Sequence, residues 1–272
     1  MTDKLFSALL KYWRGRRGLS QLDLALAADV SAKHISFLES GRANPSQDMV
    51  LRLMHALQVS LRDQNEALRA ASFPERFFKS AFKDTISATD DAAIDAAITR
   101  MMRQQEPYPL TVLNAGYDII RSNAAAKNIF SKFVIEPTLL SAPLNLYALI
   151  FDPRLARPCI QNWAEIAQHM MARLHREALS RANDEQLWCL LQQVCAYPDV
   201  PQAWRQPDFS KNIQPTLSLV LQRGSLTLQF FTLLTSISAP QTVALDELRI
   251  ESYFPVDTTT QLACEALAAA LS

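Results

Sequence analysis

Between Leu22 and Leu57 the apolar residues Leu22, Ala25, Leu26, Val30, Ile35, Leu38, Val50, Leu53, Met54 and Leu57 recur at three- and four-residue spacings. That period belongs to short helices, each turning one stripe inward. The interruptions fall on helix punctuation. A basic helix from about Leu5 to Arg17 stops at Gly18, Gly41 closes the third helix and Pro45-Ser46 opens the fourth. Ser20, Ser31 and Ser60 have the hydroxyls that cap helix N-termini. Five short helices are therefore predicted within residues 1–72.

The pattern then changes twice. Residues 73–106 read as a helical linker: Phe73, Phe77, Phe78 and Phe82 mix with charges, and a helix runs from Asp90 to about Gln104, capped by Thr89 or Asp90. Its stripe of Ile94, Ala97, Ile98, Met101 and Met102 is suited to pack against the domain C-terminal to it. Pro107 and Pro109 break it, and Leu110 to Arg121 reads as two strands joined at a turn glycine around Asn114–Gly116. Asn123 can start the next helix, and helical signals continue to about Tyr197. Asn162-x-x-Glu165 and Asn183-x-x-Gln186 there have capping-box spacing. Pro198, Pro201 and Pro207 end that block. Leu217, Leu219 and Leu221, then Leu226, Leu228, Phe230 and Leu234, alternate about Arg223-Gly224 as a long hairpin. Leu248, Ile250 and Phe254 form a third run, and Asp257 caps a closing helix to Leu271. The fold class expected is an all-α five-helix domain (1–72), the linker (73–106), and an α+β domain (107–272) with an antiparallel sheet and helices on one side.

Length and composition agree, since 272 residues divide into about two domains. Lys plus Arg and Asp plus Glu are 27 each, but residues 1–72 hold ten basic against seven acidic side chains, which makes the front the basic part. No apolar run approaches the ~18–20 residues that cross a bilayer, and the N-terminus lacks an apolar signal region, so a soluble, cytoplasmic chain without membrane insertion is expected. Four cysteines without a C-x-x-C pair argue against a disulfide framework or zinc ribbon. With five glycines, no phosphate loop, no G-x-S-x-G and no H-E-x-x-H, nothing marks an enzyme, a metal or a cofactor. His169 and His175 read as solvated surface, and Cys189 and Cys195 as buried small residues.

Chemistry enters at the third helix. Burying Ile35 and Leu38 turns Lys33, Ser36, Phe37 and Ser40 outward. In a DNA major groove, Lys reaches guanine O6 and N7, Ser serves base or phosphate, and Phe packs on a thymine methyl. Gln21 and Arg42 flank that face as phosphate donors, and Arg14, Arg16 and Arg17 add attraction that is independent of base sequence.

The run from Leu19-Ser-Gln through Ala-Asp-Val-Ser, His34-Ile-Ser and Leu-Glu-Ser-Gly-Arg to Pro-Ser resembles the XRE/Cro-type helix-turn-helix of phage repressors. The resemblance implies that Gln21 contacts phosphate, that Arg14 and Glu39 form an ion pair between helices 1 and 3, and that Ala32, Lys33 and Phe37 read bases. Ser31, His34, Ser36, Arg17 and Arg42 complete the DNA-facing set. It further implies a double-stranded operator and a homodimer, because one module spans one half-site. Glutamines frequent in phage repressors at the reading positions are absent, so their operators do not transfer. The alternative use of such a bundle is an antitoxin-like protein-interaction module.

The tract from His34 through Met49 to Leu61-Arg-x-x-Asn65, with Asn145-Leu-x-x-Leu-Ile-Phe-Asp-Pro-Arg154 and Asn162-Trp163, resembles the MmyB-like regulators. That implies a PAS-like rear domain holding a small apolar ligand, with a bound fatty acid as the effector class. From the residues themselves, Phe130, Trp163, Met170, Met171 and Phe230 serve equally for a solid core or a cavity wall. Arg154 and Arg173 are the candidate cations for a ligand carboxylate.

Overall fold

In the computed structural model, residues 3–77, 90–140, 143–181, 184–206, 217–237 and 243–270 are described. The chain divides into two compact units, Met1–Ile86 with Ile237–Asp246, and Ser87–Ser236 with Glu247–Ser272.

The first unit holds α1 (Asp3–Arg16), α2 (Gln21–Ala27), α3 (Ala32–Glu39), α4 (Gln47–Ala56) and α5 (Leu61–Ala70). Its caps are the serines. Ser20 accepts from the Asp23 amide, and Asp23 returns the bond in a capping box; Ser31, Ser46 and Ser60 cap α3, α4 and α5. Gly18 and Gly41 take φ of +67° and +70°, the left-handed region where a helix stops without a Cβ clash. Leu24, Ile35, Leu38, Leu53 and Met54 fill the centre.

The expected inward stripe fails on α2. Leu24, Ala25 and Ala28 are buried, whereas Leu22 and Leu26 are 58% and 73% exposed. Seven residues make two turns, and the side that meets α3 is set by Leu24, leaving the i, i+4 pair on the opposite face. Buried Asn65 is a fastener that helical periodicity does not reveal. Its Oδ1 accepts from the amides of Arg76 and Phe77 while its Nδ2 donates to the Phe77 carbonyl, a side chain standing in for a strand. A helical turn, Val243–Asp246, also belongs to this unit, and its Asp246 carboxylate accepts from the Leu61 amide at 3.0 Å, at the start of α5. Phe78, Phe82 and Thr89 lie outside the described residues.

The second unit begins with α6 (Asp90–Gln105), then β1 (Leu110–Leu113), β2 (Asp118–Ser122), α7 (Ala124–Ser131), β3 (Leu144–Asn145), α8 (Leu146–Phe151), α9 (Trp163–Ser180) and α10 (Glu185–Ala196). Strands β4 (Leu217–Arg223), β5 (Leu226–Ser236) and β6 (Arg249–Pro255) and helix α11 (Thr258–Ala269) complete it. The sheet order is β3-β2-β1-β6-β5-β4, antiparallel throughout. The long hairpin turns at Gly224, φ +60°, with Leu219 opposite Phe230 and Leu221 opposite Leu228.

Several sequence expectations are corrected here. The positive φ in the β1–β2 turn belongs to Tyr117 (+66°), not Gly116; a fully buried aromatic residue holds a backbone conformation that costs about 1–2 kcal/mol. Asn162 does not cap α9. Its amide instead bridges to β4, accepting from the Val220 amide and donating to the Ser218 carbonyl. Asn183 and Pro207 lie outside the described residues, and Asp184 caps α10. Leu234 is 44% exposed, beyond the reach of the core. On β6 both faces are covered, because register pairs Val112 with Ile250 and with Arg121, and Arg121 on that side reaches Asp95 and Thr99 of α6. His175 is buried, its Nε2 2.9 Å from the Trp204 carbonyl, and Cys189 is exposed.

Candidate nucleic-acid interface and ligand cavity

The α3 surface is organised by one polar cluster. Arg14 Nε lies 2.6 Å from Glu39 Oε1 and its NH2 donates to Oε2 at 3.0 Å; Gln21 Nε2 also donates to Oε2, at 2.7 Å. Three helices are thereby fixed by one carboxylate. Burial by itself raises the Glu39 carboxyl, but the hydrogen bonds from Arg14 and Gln21 outweigh it and hold the group below the usual carboxylate range.

With Ile35 and Leu38 fully buried, Lys33 is exposed, Ser36 and Phe37 are half-buried, and the Lys33 Nζ stands 5.6 Å from the Phe37 ring centre. Ala32 and His34 are half-buried beside them, and Arg42 is exposed just past the helix. Ser31 uses its hydroxyl oxygen to cap the His34 amide. Arg17 donates to the carbonyls of Leu57 and Gln58 at 2.8 and 2.6 Å, fixing α1 against the end of α4. The set expected from sequence to face DNA thus contains exposed donors (Lys33, Arg42) and members engaged in structural bonds (Arg14, Arg17, Gln21).

The second unit holds a partly buried charged network, in which Tyr117 and Arg249 are buried and Glu177 and Arg173 half-buried. Glu177 on α9 accepts from Arg249 NH2 and from the Tyr117 hydroxyl, both at 2.5 Å, and Arg173 Nε lies 3.3 Å away. Both guanidiniums stack on the Tyr117 ring, 5.1 and 4.7 Å from its centre, and Tyr147 meets it edge-on. Burial pushes Glu177 upward, yet Arg249, Tyr117 and Arg173 bring it below its ordinary value. Two residues along β6 on the same face, burial raises Glu251, against the Tyr253 hydroxyl that donates to it at 2.8 Å. Apolar alternation on β6 draws the eye to Leu248, Ile250 and Phe254; the intervening Arg249, Glu251 and Tyr253 are the sequence signal for this network.

A separate cavity of ≈ 330 Å³ opens under α7. Ile119, Ala126, Phe130, Leu140, Leu144 and Leu149 give it apolar walls, with Thr111, Ser122, Ser131 and Lys127 as its polar members. Of the seven pocket residues expected from sequence, Phe130 lines this cavity. Trp163, Met170, Met171 and Phe230 belong to or pack on the central core, the Trp163 Nε1 donating to the Ile150 carbonyl. Arg173 sits in the Glu177 network, and Arg154 forks onto Asp152 at 2.7 and 3.0 Å.

A five-helix helix-turn-helix module joined to an antiparallel sheet domain of PAS type defines the class of one-chain transcription regulators. Residues 94–267 match the MmyB-like transcription regulator ligand binding domain, and residues 10–64 match a helix-turn-helix model. The chain belongs to the MmyB-like transcription regulators, with an XRE-type DNA-binding module. Two structures of the clp gene regulator ClgR from Corynebacterium glutamicum are similar, at 29% and 24% identity, covering 26% and 39% of this chain and 90% and 92% of theirs, each with a TM-score of 0.24. An RNA-binding light-oxygen-voltage receptor is matched over 93% of this chain and 61% of its own, at 11% identity and a TM-score of 0.30. No curated protein matches. Among the described residues no helix is long and apolar enough to cross a membrane.

Proposed function

We propose that this DNA-binding transcription regulator acts in the cytoplasm as a homodimer on a two-fold operator, and that a small apolar acyl compound, of the fatty-acid class, bound in the second unit alters its affinity for that operator. The observation that carries the DNA half is the face of α3 opposite the packed Ile35 and Leu38, where Lys33 is exposed beside the half-buried Phe37. Lys33 and Ser36 would read base edges, Phe37 a thymine methyl, and Gln21 and Arg42 the flanking phosphates. The ligand half is supported by the family description and by the apolar cavity under α7. An acyl compound regulates by binding one DNA-binding state better than the other, since equal affinity shifts nothing.

The test is selection of a binding sequence from random duplexes, then anisotropy titration across salt concentrations. A sequence preference with a steep salt slope supports the reading, and a flat slope with no preference removes it. Leu22 and Leu26, exposed on α2, favour the protein-interaction alternative, which predicts that second result.

A further inference from the structure

Residues 237–248 leave the sheet and return to it at a single rung. Ser236 of β5 pairs with Arg249 of β6, and the chain between them carries the turn Val243–Asp246, which belongs to the first unit with α1 to α5. Its fastening there is Asp246, whose carboxylate accepts from the Leu61 amide at 3.0 Å. Leu61 opens α5, so its N–H is one of the donors a helix start cannot satisfy by itself, at the positive end of the helix dipole. The residues just before it seat α1, because Arg17 donates to the carbonyls of Leu57 and Gln58. One residue past Asp246 the chain is committed to the second unit. The Glu247 carboxylate lies 3.5 Å from Arg181, its carbonyl accepts from Arg249 NH1 at 3.1 Å, and Arg249 NH2 donates to Glu177 at 2.5 Å. Glu177 and Arg181 stand one helical turn apart at the C-terminal end of α9.

We propose that residues 246–249 are a coupling joint in which Asp246 is the positioning residue, seated on the start of α5 only while Glu177 holds Arg249. The peptide bond between Asp246 and Glu247 separates a side chain that fastens the DNA-binding unit from one that is fastened by α9. While Arg249 is gripped, its second nitrogen fixes the Glu247 carbonyl and so the backbone that aims Asp246. A change in the second unit that draws Glu177 off Arg249 frees that backbone, and the Asp246 carboxylate leaves the Leu61 amide. The first turn of α5 then frays beside the residues that anchor Arg17, and α5 packs on both α1 and α4. Such a contiguous set of bonds, with a held and a released arrangement, is what coupling between sites requires. No ligand has to be identified for it; the inference rests on the reading under Proposed function that the second unit governs the first.

The test is amide-resolved hydrogen exchange by NMR on the full chain, without DNA or added ligand, in wild type, Asp246→Ala, Glu177→Gln and the double variant. Asp246→Ala should speed exchange of the Leu61 amide about fivefold, the scale of a lost helix cap. Glu177→Gln, on the other side of the joint, should speed it about threefold while Asp246 is present and add nothing in Asp246→Ala. Arg181→Gln, which releases the Glu247 carboxylate instead, should act in the same direction and takes the place of Glu177→Gln if that variant unfolds. Leu187→Ala, a core change on α10, should leave the Leu61 amide at its wild-type rate, which separates transmission through the joint from general loosening of the second unit. A Leu61 rate that ignores Asp246→Ala, or ignores Glu177→Gln and Arg181→Gln, overturns the joint. So does a Glu177→Gln effect that persists in Asp246→Ala, or one that Leu187→Ala reproduces. Because the rates are read without DNA, a duplex selection that returns no preference removes the DNA half of the proposed function and does not alter this result.

Discussion

The two units carry their polar chemistry in opposite places. In the first, the interior is apolar and the ionic cluster of Arg14, Gln21 and Glu39 joins helices next to the surface proposed to meet DNA. In the second, Glu177, Arg249, Arg173 and Tyr117 form an ionic cluster within the fold, and the candidate ligand site is a cavity. A reader of DNA needs a rigid body with an outward face. A receiver of a small molecule needs an interior that is not completely filled, and its polar fasteners are then under the sheet.

Breaking the inner fastener should have the largest effect. Glu177→Ala leaves the Arg249 guanidinium without its carboxylate in a buried setting, and should destabilise the second unit by about 3–5 kcal/mol in denaturant unfolding. Glu177→Gln keeps one acceptor for the Tyr117 hydroxyl and should cost less. Because Glu177 is held below its ordinary value when folded, its contribution is complete above the unfolded carboxylate range and is lost as pH falls through the lower, folded value. Acid should therefore loosen the second unit, and hydrogen exchange around β6 as a function of pH measures it.

The first unit answers with a core substitution. Leu38 and Leu53 are fully buried, and Leu38→Ala should cost about 2–5 kcal/mol through a cavity the short helices close poorly. DNA binding would be lost with it, an indirect loss visible as a lowered melting temperature. Lys33→Ala and Phe37→Ala should do the reverse. Melting should stay near wild type, while the selected operator is bound more weakly by about 1–3 kcal/mol per lost base contact and discrimination at that base relaxes. Wild-type affinity after joint replacement of Lys33, Ser36 and Phe37 would disprove α3 as the reading helix.

Legibility in the sequence divides along the same line. Ser20, Ser31, Ser46 and Ser60 each fix a helix start through a local bond to an amide three residues on, so helices α2 to α5 can be read residue by residue. The Arg14–Glu39 pair is legible through resemblance alone, since 25 residues separate its members. Asn162 has the spacing of a cap and serves as a strand fastener, because Val220 and Ser218 compete for the same amide. The cavity is least legible. Whether Met170 or Phe130 lines a void depends on how far α9 and α7 respectively stand from the sheet, distances that no local period encodes.

The smallest expected effect sharpens the comparison by being equal in both units. Gly18 and Gly224 hold φ of +67° and +60°, and a Cβ at either would meet nothing within 4 Å. The cost of Gly→Ala at each is then backbone conformation alone, about 1–2 kcal/mol, with no packing contribution to separate surface from interior. Gly→Asn should recover part of it, since Asn tolerates the left-handed region better. Measured by unfolding of the full chain, equal costs would mean that the contrast between the units lies in their polar clusters and cavity. A cost at Gly224 several times that at Gly18 would mean instead that the β4–β5 turn is coupled to the packing of the sheet beneath it.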